Sequence, residues 1–310
     1  MSSSTLRRRL YHGDVDGRRD EQMDTSSADG LDEPLLGSYG DGSKEYDSRE
    51  EEDWDSRKKV EQQWTFLFST LIAQWAQWFA NILTESGSVF GRLLTFSTQS
   101  PIYLSPLQEE RLSTLKERLE VPFDGSRVDH QDALRQLWRL AFPDTTIPPL
   151  KSEAWKEMGW QGTDPSTDFR GGGFISLENL IYFAQNYPES FQKLLLKQEG
   201  MRAEWEYPFA VAGINISFML IQMLDLQSTG MPSSQAGTRF LELLAEDENA
   251  FDKLYCVAFR LMDAQWLVKR ASYMEFNEVL KSTRTQLERE LALEDVTHVR
   301  DLPSYTMLYR

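Results

Sequence analysis

The 310-residue sequence contains a single cysteine and only three histidines. Cys256 lies in the apolar stretch LYCVAFRLM, where a helical pattern predicts a core thiol, and no disulfide can form within the chain. His12, His130 and His298 are too far apart in sequence to show the spacing of metal ligands. The single cysteine is typical of a reducing compartment. No apolar run follows the N-terminal arginines, so the sequence predicts a cytoplasmic protein without a secretory signal.

Basic residues are also scarce relative to acidic ones. The chain has 33 Lys and Arg against 49 Asp and Glu, which gives a net charge of −16 at pH 7. A nucleic-acid-binding surface would be basic, so nucleic acid is excluded as the expected partner. The sequence has no G-x-x-x-x-G-K-[ST] motif and no Ser/His/Asp or Cys/His set. We therefore expect no bound nucleotide, no cofactor and no catalytic turnover by the chain itself.

The first third of the chain divides into segments of different composition. Residues 1–60 are rich in Asp, Glu, Ser, Gly and Arg, which predicts a disordered acidic tail. Residues 62–84 carry no charge and form a Trp-rich amphipathic pattern with a narrow stripe of amides. Three alternatives remain for this helix: it packs on the main domain, lies in a membrane interface through residues 64–83, or spans a bilayer. Residues 85–104 form a Ser/Thr/Gly linker.

From residue 105 the apolar residues recur with a helical period, and strand alternation is nowhere sustained. The uncharged stretch 207–224 predicts a central buried helix, and helical patterns continue over 235–246, 248–269 and 271–292. The fold class predicted from these patterns is all-α, as a compact multi-helix domain over 105–292. Residues 293–310 are a C-terminal tail without a predicted position.

Several residues mark predicted helix ends. Ser105 begins a capping box that Gln108 completes, with proline at the first helical position. Asp129 is predicted to cap the next helix. Ser152 is predicted to cap a short helix that Gly159 ends.

The most informative segment is a polar loop that presents one arginine. Arg170 stands between Asp168–Phe169 and the glycines Gly171, Gly172 and Gly173, and a helix predicted to be capped by Ser176 follows. The glycines would keep bulky side chains away from the guanidinium and allow backbone angles closed to other residues. Phe169 is predicted to anchor the loop in the core. Asp168 would either hold Arg170 or cap nearby backbone NH groups.

This segment resembles the ELMO domain family. The matching residues stand in the order and spacing that the family uses: Trp155, Gly159, Gln161, Pro165, Thr167, Asp168, Phe169, Arg170, Gly171, Gly173, Leu177, Asn179, Leu180, Tyr182 and Phe183. Trp160 stands where phenylalanine is expected. The resemblance extends more weakly over about 105–292, as helices of compatible length.

The resemblance implies one of two functions. Short ELMO-domain proteins are similar to GTPase-activating proteins for Arf-like small GTPases, in which the arginine matching Arg170 acts on the partner's GTP. Longer relatives are adaptors that join a Dock-type exchange factor in activating Rac. Because no PH domain or additional repeat is recognisable, we expect the first function, with the adaptor as the alternative. Arf-type GTPases act at membranes, which suggests a peripheral association with an internal membrane.

Other residues of the motif have simpler predicted roles. Gln161, Thr167 and Asn179 are candidates for contact with the partner, although Gln161 and Asn179 could instead stabilise the loop by hydrogen bonds. Six apolar or aromatic residues are predicted to support the loop as core: Trp155, Phe174, Leu177, Leu180, Tyr182 and Phe183.

Overall fold

A computed structural model describes residues 104–197, 200, 202, 206–228 and 230–309. Within these ranges the chain forms α-helices and short 3-10 helices, and no strand occurs, which confirms the all-α prediction. The α-helices are α1 (Pro106–Glu120), α2 (Val128–Ala141), α3 (Gly173–Asn186), α4 (Pro188–Leu195), α5 (Phe209–Met223), α6 (Gln235–Glu246), α7 (Ala250–Lys269) and α8 (Phe276–Leu291). The predicted tail 1–60, the predicted helix 62–84 and the linker up to residue 103 lie outside the described residues.

Two of the predicted helix starts are confirmed. The Ser105 hydroxyl accepts from the backbone N–H of Gln108, whose side chain accepts in return from the backbone N–H of Ser105. Ser152 caps the 3-10 helix Glu153–Met158, and Gly159 ends it with φ 87°. This left-handed conformation is available to glycine at low cost, so the chain can turn sharply into the loop that follows.

Two other predicted caps are wrong. α2 begins at Val128, and Asp129 lies inside its first turn, where it pairs with Arg127. α3 begins at Gly173, so Ser176 is already helical, and its hydroxyl donates to the Gly173 carbonyl oxygen. In both cases the helix begins before the predicted cap. In α3 backbone carbonyls take up the first N–H groups, since Gly173 donates to Phe169 and Phe174 donates to Val121.

The core is built around α3, which contacts α1, α2, α4, α5 and α7. α5 is buried along almost its whole length, which confirms the prediction of a central buried helix for 207–224. α7 is similarly enclosed, and its Cys256 is a fully buried thiol, as predicted. Since α3 starts directly after the loop that carries Arg170, the helix at the centre of these contacts fixes one end of that loop.

Residues 293–309 pack against the helical domain. They form the 3-10 helices Val299–Asp301 and Pro303–Tyr309, which contact α7. The apolar side chains that they bury include Val296, Val299, Leu302 and Leu308. This segment, for which the sequence predicts no position, is therefore part of the folded core.

Among the described helices, none is both long enough and apolar enough to cross a bilayer. Contact of residues 64–83 with a membrane stays a prediction.

Candidate functional site

The arginine loop, defined as residues 160–172, connects the 3-10 helix Glu153–Met158 to α3. Two hydrogen bonds fasten it at its base. The Ser152 N–H donates to the Thr163 carbonyl oxygen over 2.8 Å. The Gln161 N–H donates to Asp168 Oδ2, also over 2.8 Å. The first bond ties the loop to the residue before the 3-10 helix, and the second joins two points of the loop seven residues apart and closes it into a turn.

A smaller turn lies inside the loop, at Asp164. Its carboxylate accepts from both the backbone N–H and the hydroxyl of Ser166, and it pairs with Lys151 at 3.1 Å. The Thr167 hydroxyl donates to the Asp164 carbonyl oxygen. An aspartate that binds the backbone two residues ahead is a local alternative to regular secondary structure, and here it starts the 3-10 helix Pro165–Thr167.

An aromatic cluster lies beneath the residue before Arg170. Phe169 is buried, as predicted, and stacks on Phe123 with ring centroids 4.1 Å apart. Trp160 contacts the same ring of Phe169 at 5.2 Å. On the other side of the cluster, Phe174 stacks on His130 at 3.9 Å. These contacts hold the backbone at position 169, so Arg170 projects from a fixed base.

His130 is a structural member of this cluster. Its Nδ1 accepts from the backbone N–H of Asp124, which requires an imidazole that carries no proton on Nδ1. Burial lowers the pKa of His130, and the nearby Arg127 lowers it further. A neutral His130 therefore fixes the connection between α1 and α2 against the ring of Phe174.

Arg170 is exposed, and no hydrogen bond or ion pair of its guanidinium occurs within the part of the chain that the structure describes. Asp168 does not bind it; that carboxylate accepts from the Gln161 N–H, and its Oδ1 shares the Thr167 hydroxyl, 3.3 Å away, with the Asp164 carbonyl. Of the two roles predicted for Asp168, the geometry thus shows backbone capping. The guanidinium keeps its donors available to an external anion.

The three glycines have different structural roles. Gly171 and Gly173 have φ of 88° and 65°, in the left-handed region. Gly172 has an ordinary φ, but a Cβ there would lie 2.7 Å from Ile214 Cγ2 and 3.0 Å from Ser176 Oγ. Two of the glycines therefore serve backbone conformation, whereas the middle one allows the loop to approach α5 closely.

Burial raises the pKa of Asp168 to about 6. The hydrogen bonds from Gln161 and Thr167 act in the opposite direction, as does the positive charge of Arg170, while Asp164 raises the pKa further. A carboxyl whose pKa is higher in the folded than in the unfolded chain binds its proton more tightly when folded. Its contribution to stability is therefore largest at low pH and is lost as pH rises from about 4 to about 6.

Replacing Asp168 with asparagine should remove this dependence. The amide oxygen can still accept from the Gln161 N–H, and the Thr167 hydroxyl can donate to the Asp164 carbonyl while accepting from the new amide. We expect the free energy of unfolding at pH 7 to rise by up to about 3 kcal/mol, with little change at pH 4. Urea unfolding of parent and variant between pH 4 and 7 measures this, and parallel curves would contradict the expectation.

The candidate partner contacts have different outcomes. Thr167 is exposed on the same loop as Arg170, and Gln161 is partly exposed. Asn179 is fully buried, so it cannot contact a partner; its amide donates to Asp252 Oδ1 and accepts from the Ser217 hydroxyl. Of the six residues predicted to support the loop, four are fully buried and two, Phe174 and Tyr182, are partly exposed.

A cleft lies beside the guanidinium. One wall is the segment 119–123, which leads out of α1, and the other is formed by Ser166, Phe169, Arg170, Gly171 and Gly173. The Phe174 N–H donates to the Val121 carbonyl oxygen over 2.9 Å, which joins the two walls at their base. Sequence reasoning missed Val121 and Phe123, because they lie in an irregular connection without periodicity or a recognisable turn signal.

A charged network, also missed by sequence reasoning, lies behind the cleft. Arg118 of α1 forms a two-pronged ion pair with the buried Asp252 of α7 and contacts Glu178 of α3. Little in the sequence indicates this network, because Asp252 stands beside Lys253 in the first turn of a helix, where acidic residues are common. No group of three or more His, Cys, Asp or Glu side chains in the described ranges is arranged to hold a metal ion.

The fold and site define an all-α domain that presents an exposed arginine from a loop held by hydrogen bonds and ring stacking. The sequence matches the ELMO/CED-12 family over residues 113–280, more than half of the chain. This chain belongs to the ELMO/CED-12 family.

Individual relatives share the same region. ELMO domain-containing protein A from Dictyostelium discoideum is 34% identical over 207 residues, covering 61% of this chain and 21% of the relative. ELMO domain-containing protein 1 from Pongo abelii is 30% identical over 193 residues, covering 56% and 57%. Engulfment and cell motility protein 3 from Mus musculus is 26% identical over 205 residues, covering 62% and 28%. The match thus spans between about a fifth and three fifths of the length of these relatives.

Proposed function

We propose that this chain is a GTPase-activating protein for an Arf-like small GTPase, and that Arg170 enters the partner's active site as an arginine finger. The observation that carries the proposal is the Arg170 guanidinium, which is exposed and lacks a partner within the described residues although the residue before it is buried. An arginine that only stabilised the loop would be expected to bind a neighbouring carboxylate. The choice of the Arf-like class rests on the resemblance to short ELMO-domain proteins.

The chemistry required of such a residue is electrostatic. During GTP hydrolysis, negative charge develops on the phosphate oxygens around the bond that breaks. A planar guanidinium neutralises this charge and donates two parallel hydrogen bonds, which a lysine ammonium cannot reproduce. The partner binds the nucleotide and the attacking water. This chain contributes one positive charge at a fixed position, without a turnover of its own.

The loop geometry supports entry into a recessed site. Gly171 is exposed directly after Arg170, so no side chain widens the tip at that position. The fastening by Asp168 and the stacking of Phe169 reduce the conformational freedom lost when the arginine docks. A finger held in this way delivers more of its interaction energy to the transition state.

Single-turnover GTP hydrolysis tests the proposal. GTP-loaded members of the Arf family are mixed separately with increasing amounts of the full chain, and phosphate release is followed over time. We expect at least one of them to be accelerated by about 10³- to 10⁵-fold at saturation, as in other arginine-finger systems. Unchanged hydrolysis across the whole Arf family, with the folded full chain in excess, would refute the proposed activity.

The alternative is an adaptor that binds a GTPase or an exchange factor without affecting hydrolysis. The name of one relative, engulfment and cell motility protein 3, refers to a cellular process that adaptors could serve. The same titration distinguishes the two functions when binding is measured in parallel. An adaptor binds without accelerating hydrolysis and tolerates substitution of Arg170.

A further inference from the structure

Arg118 connects three helices at the end of the cleft that contains Arg170. It lies in the last turn of α1 and directs both terminal nitrogens at Asp252 of α7, over 3.1 and 3.0 Å. Its Nε donates to Glu178 of α3 over 3.1 Å. A fork that uses both carboxylate oxygens fixes orientation as well as distance, so the end of α1 is held in a defined direction.

Asp252 is the buried centre of a network of hydrogen bonds, whereas the side chains of Arg118 and Glu178 are 30% and 34% exposed. Asp252 is 3% exposed, and besides Arg118 it accepts from the amide of the fully buried Asn179. Asn179 in turn accepts from the Ser217 hydroxyl of α5. A buried ion pair contributes little net stability compared with apolar residues of similar size, but it specifies geometry when its hydrogen bonds are satisfied.

The chain that leaves Arg118 becomes the wall of the arginine cleft. α1 ends two residues later, at Glu120, and the Val121 carbonyl then accepts from the Phe174 N–H at the start of α3. Two residues further on, Phe123 stacks on Phe169, the residue before Arg170. A continuous set of contacts therefore leads from Asp252 in the core to the base of the finger.

We propose that Arg118 is a positioning residue for the arginine loop, which orients the segment 119–123 so that Val121 and Phe123 hold Phe169, and with it Arg170, in place. The proposal rests on the function proposed above for Arg170. Arg118 binds Asp252 and Glu178 and not Arg170, so it acts on the finger through the cleft wall.

The test compares Arg118→Lys with Arg111→Lys in the full chain. Lysine at 118 keeps the positive charge beside Asp252 but loses the two-pronged geometry. Arg111 is a matched control, because it lies on the same helix and ties α1 to the Leu244 and Ala245 carbonyls of α6, away from the loop. Amide hydrogen exchange is measured for residues 161–174. Single-turnover GTP hydrolysis gives the saturating rate and the concentration of this protein at which half of that rate is reached.

We expect Arg118→Lys to accelerate exchange of the Gln161, Gly173 and Phe174 amides by about 10-fold. We also expect the saturating rate to fall by about 10- to 100-fold, since a small displacement of a catalytic group can have that effect, while the half-saturating concentration changes little. Arg111→Lys should change neither the amide exchange of the loop nor the saturating rate, even if it lowers Tm as much as Arg118→Lys does.

A double variant, Arg118→Met with Asp252→Asn, guards against a failure to fold, because it leaves no unpaired buried charge. It should show the same faster exchange and lower rate. Loop exchange and saturating rate equal to the parent's in both Arg118 variants would overturn the positioning role. If the parent accelerates no GTPase, the proposed function fails, whereas the exchange comparison still decides whether Arg118 holds the loop.

Discussion

Replacing Arg170 with alanine should lower the rate of stimulated GTP hydrolysis by about 10³- to 10⁵-fold while leaving the Tm of the protein unchanged. The two effects separate because the guanidinium is exposed and makes no hydrogen bond or ion pair within the described ranges. Removing the guanidinium therefore breaks no hydrogen bond or ion pair in the described part of the fold. Single-turnover hydrolysis and thermal unfolding, measured on the same preparation, give both values.

Lysine at position 170 should be almost as inactive as alanine. It restores the positive charge but presents a single ammonium in place of a planar pair of donors. The matched control is Arg139→Ala, which removes another exposed arginine, from the last turn of α2, and should leave the rate unchanged. Full stimulation by the Arg170→Ala variant would remove the arginine-finger assignment, because another group would then have to accelerate hydrolysis.

Replacing Phe169 with alanine should destabilise the protein strongly. The side chain is 4% exposed and lies between Phe123 and Trp160. Truncating a buried phenylalanine leaves a cavity and typically lowers the free energy of unfolding by about 3–5 kcal/mol. The saturating rate of stimulated hydrolysis should fall as well, because the base of the finger loses its support. Urea unfolding and single-turnover hydrolysis measure the two effects.

Two further substitutions show whether the effect is local. Phe169→Leu keeps most of the buried volume and loses mainly the ring contacts, which are worth about 0.5–1.5 kcal/mol each. Met274→Ala removes an exposed side chain and should change stability by less than about 0.5 kcal/mol. A Phe169→Ala protein as stable as the parent would mean that the aromatic cluster does not anchor the loop.

Local patterns in the sequence predict much of the fold, because helix periodicity and capping depend on neighbouring residues. The helix at 235–246 has the predicted bounds, and the capping box at Ser105 forms as expected. The exposed position of Arg170 is beyond prediction from sequence, since exposure depends on how distant helices pack. The buried environment of Phe169 follows from its apolar character within a polar loop.

Two of the errors concern contacts between residues far apart in the chain. A partner contact for Asn179 is wrong because its amide is occupied by Asp252 and Ser217, which lie 73 and 38 residues away. The helix start predicted at Ser176 rests on residue type alone, whereas the helix begins at Gly173 and its first turn is joined to the Val121 carbonyl. Neither the hydrogen bonds of Asn179 nor the bond to the Val121 carbonyl can be recognised from a periodic pattern in the sequence.

The packing of residues 293–309 against the helical domain determines where the protein can be truncated. The buried Glu290 carboxylate accepts from both the N–H and the hydroxyl of Ser304. Cutting the chain after 292 would remove both Ser304 donors from this acid and uncover the surface of α7 that the two C-terminal 3-10 helices contact. Expression fragments therefore need to run through Tyr309, and a fusion partner is better attached beyond that residue than at the end of α8.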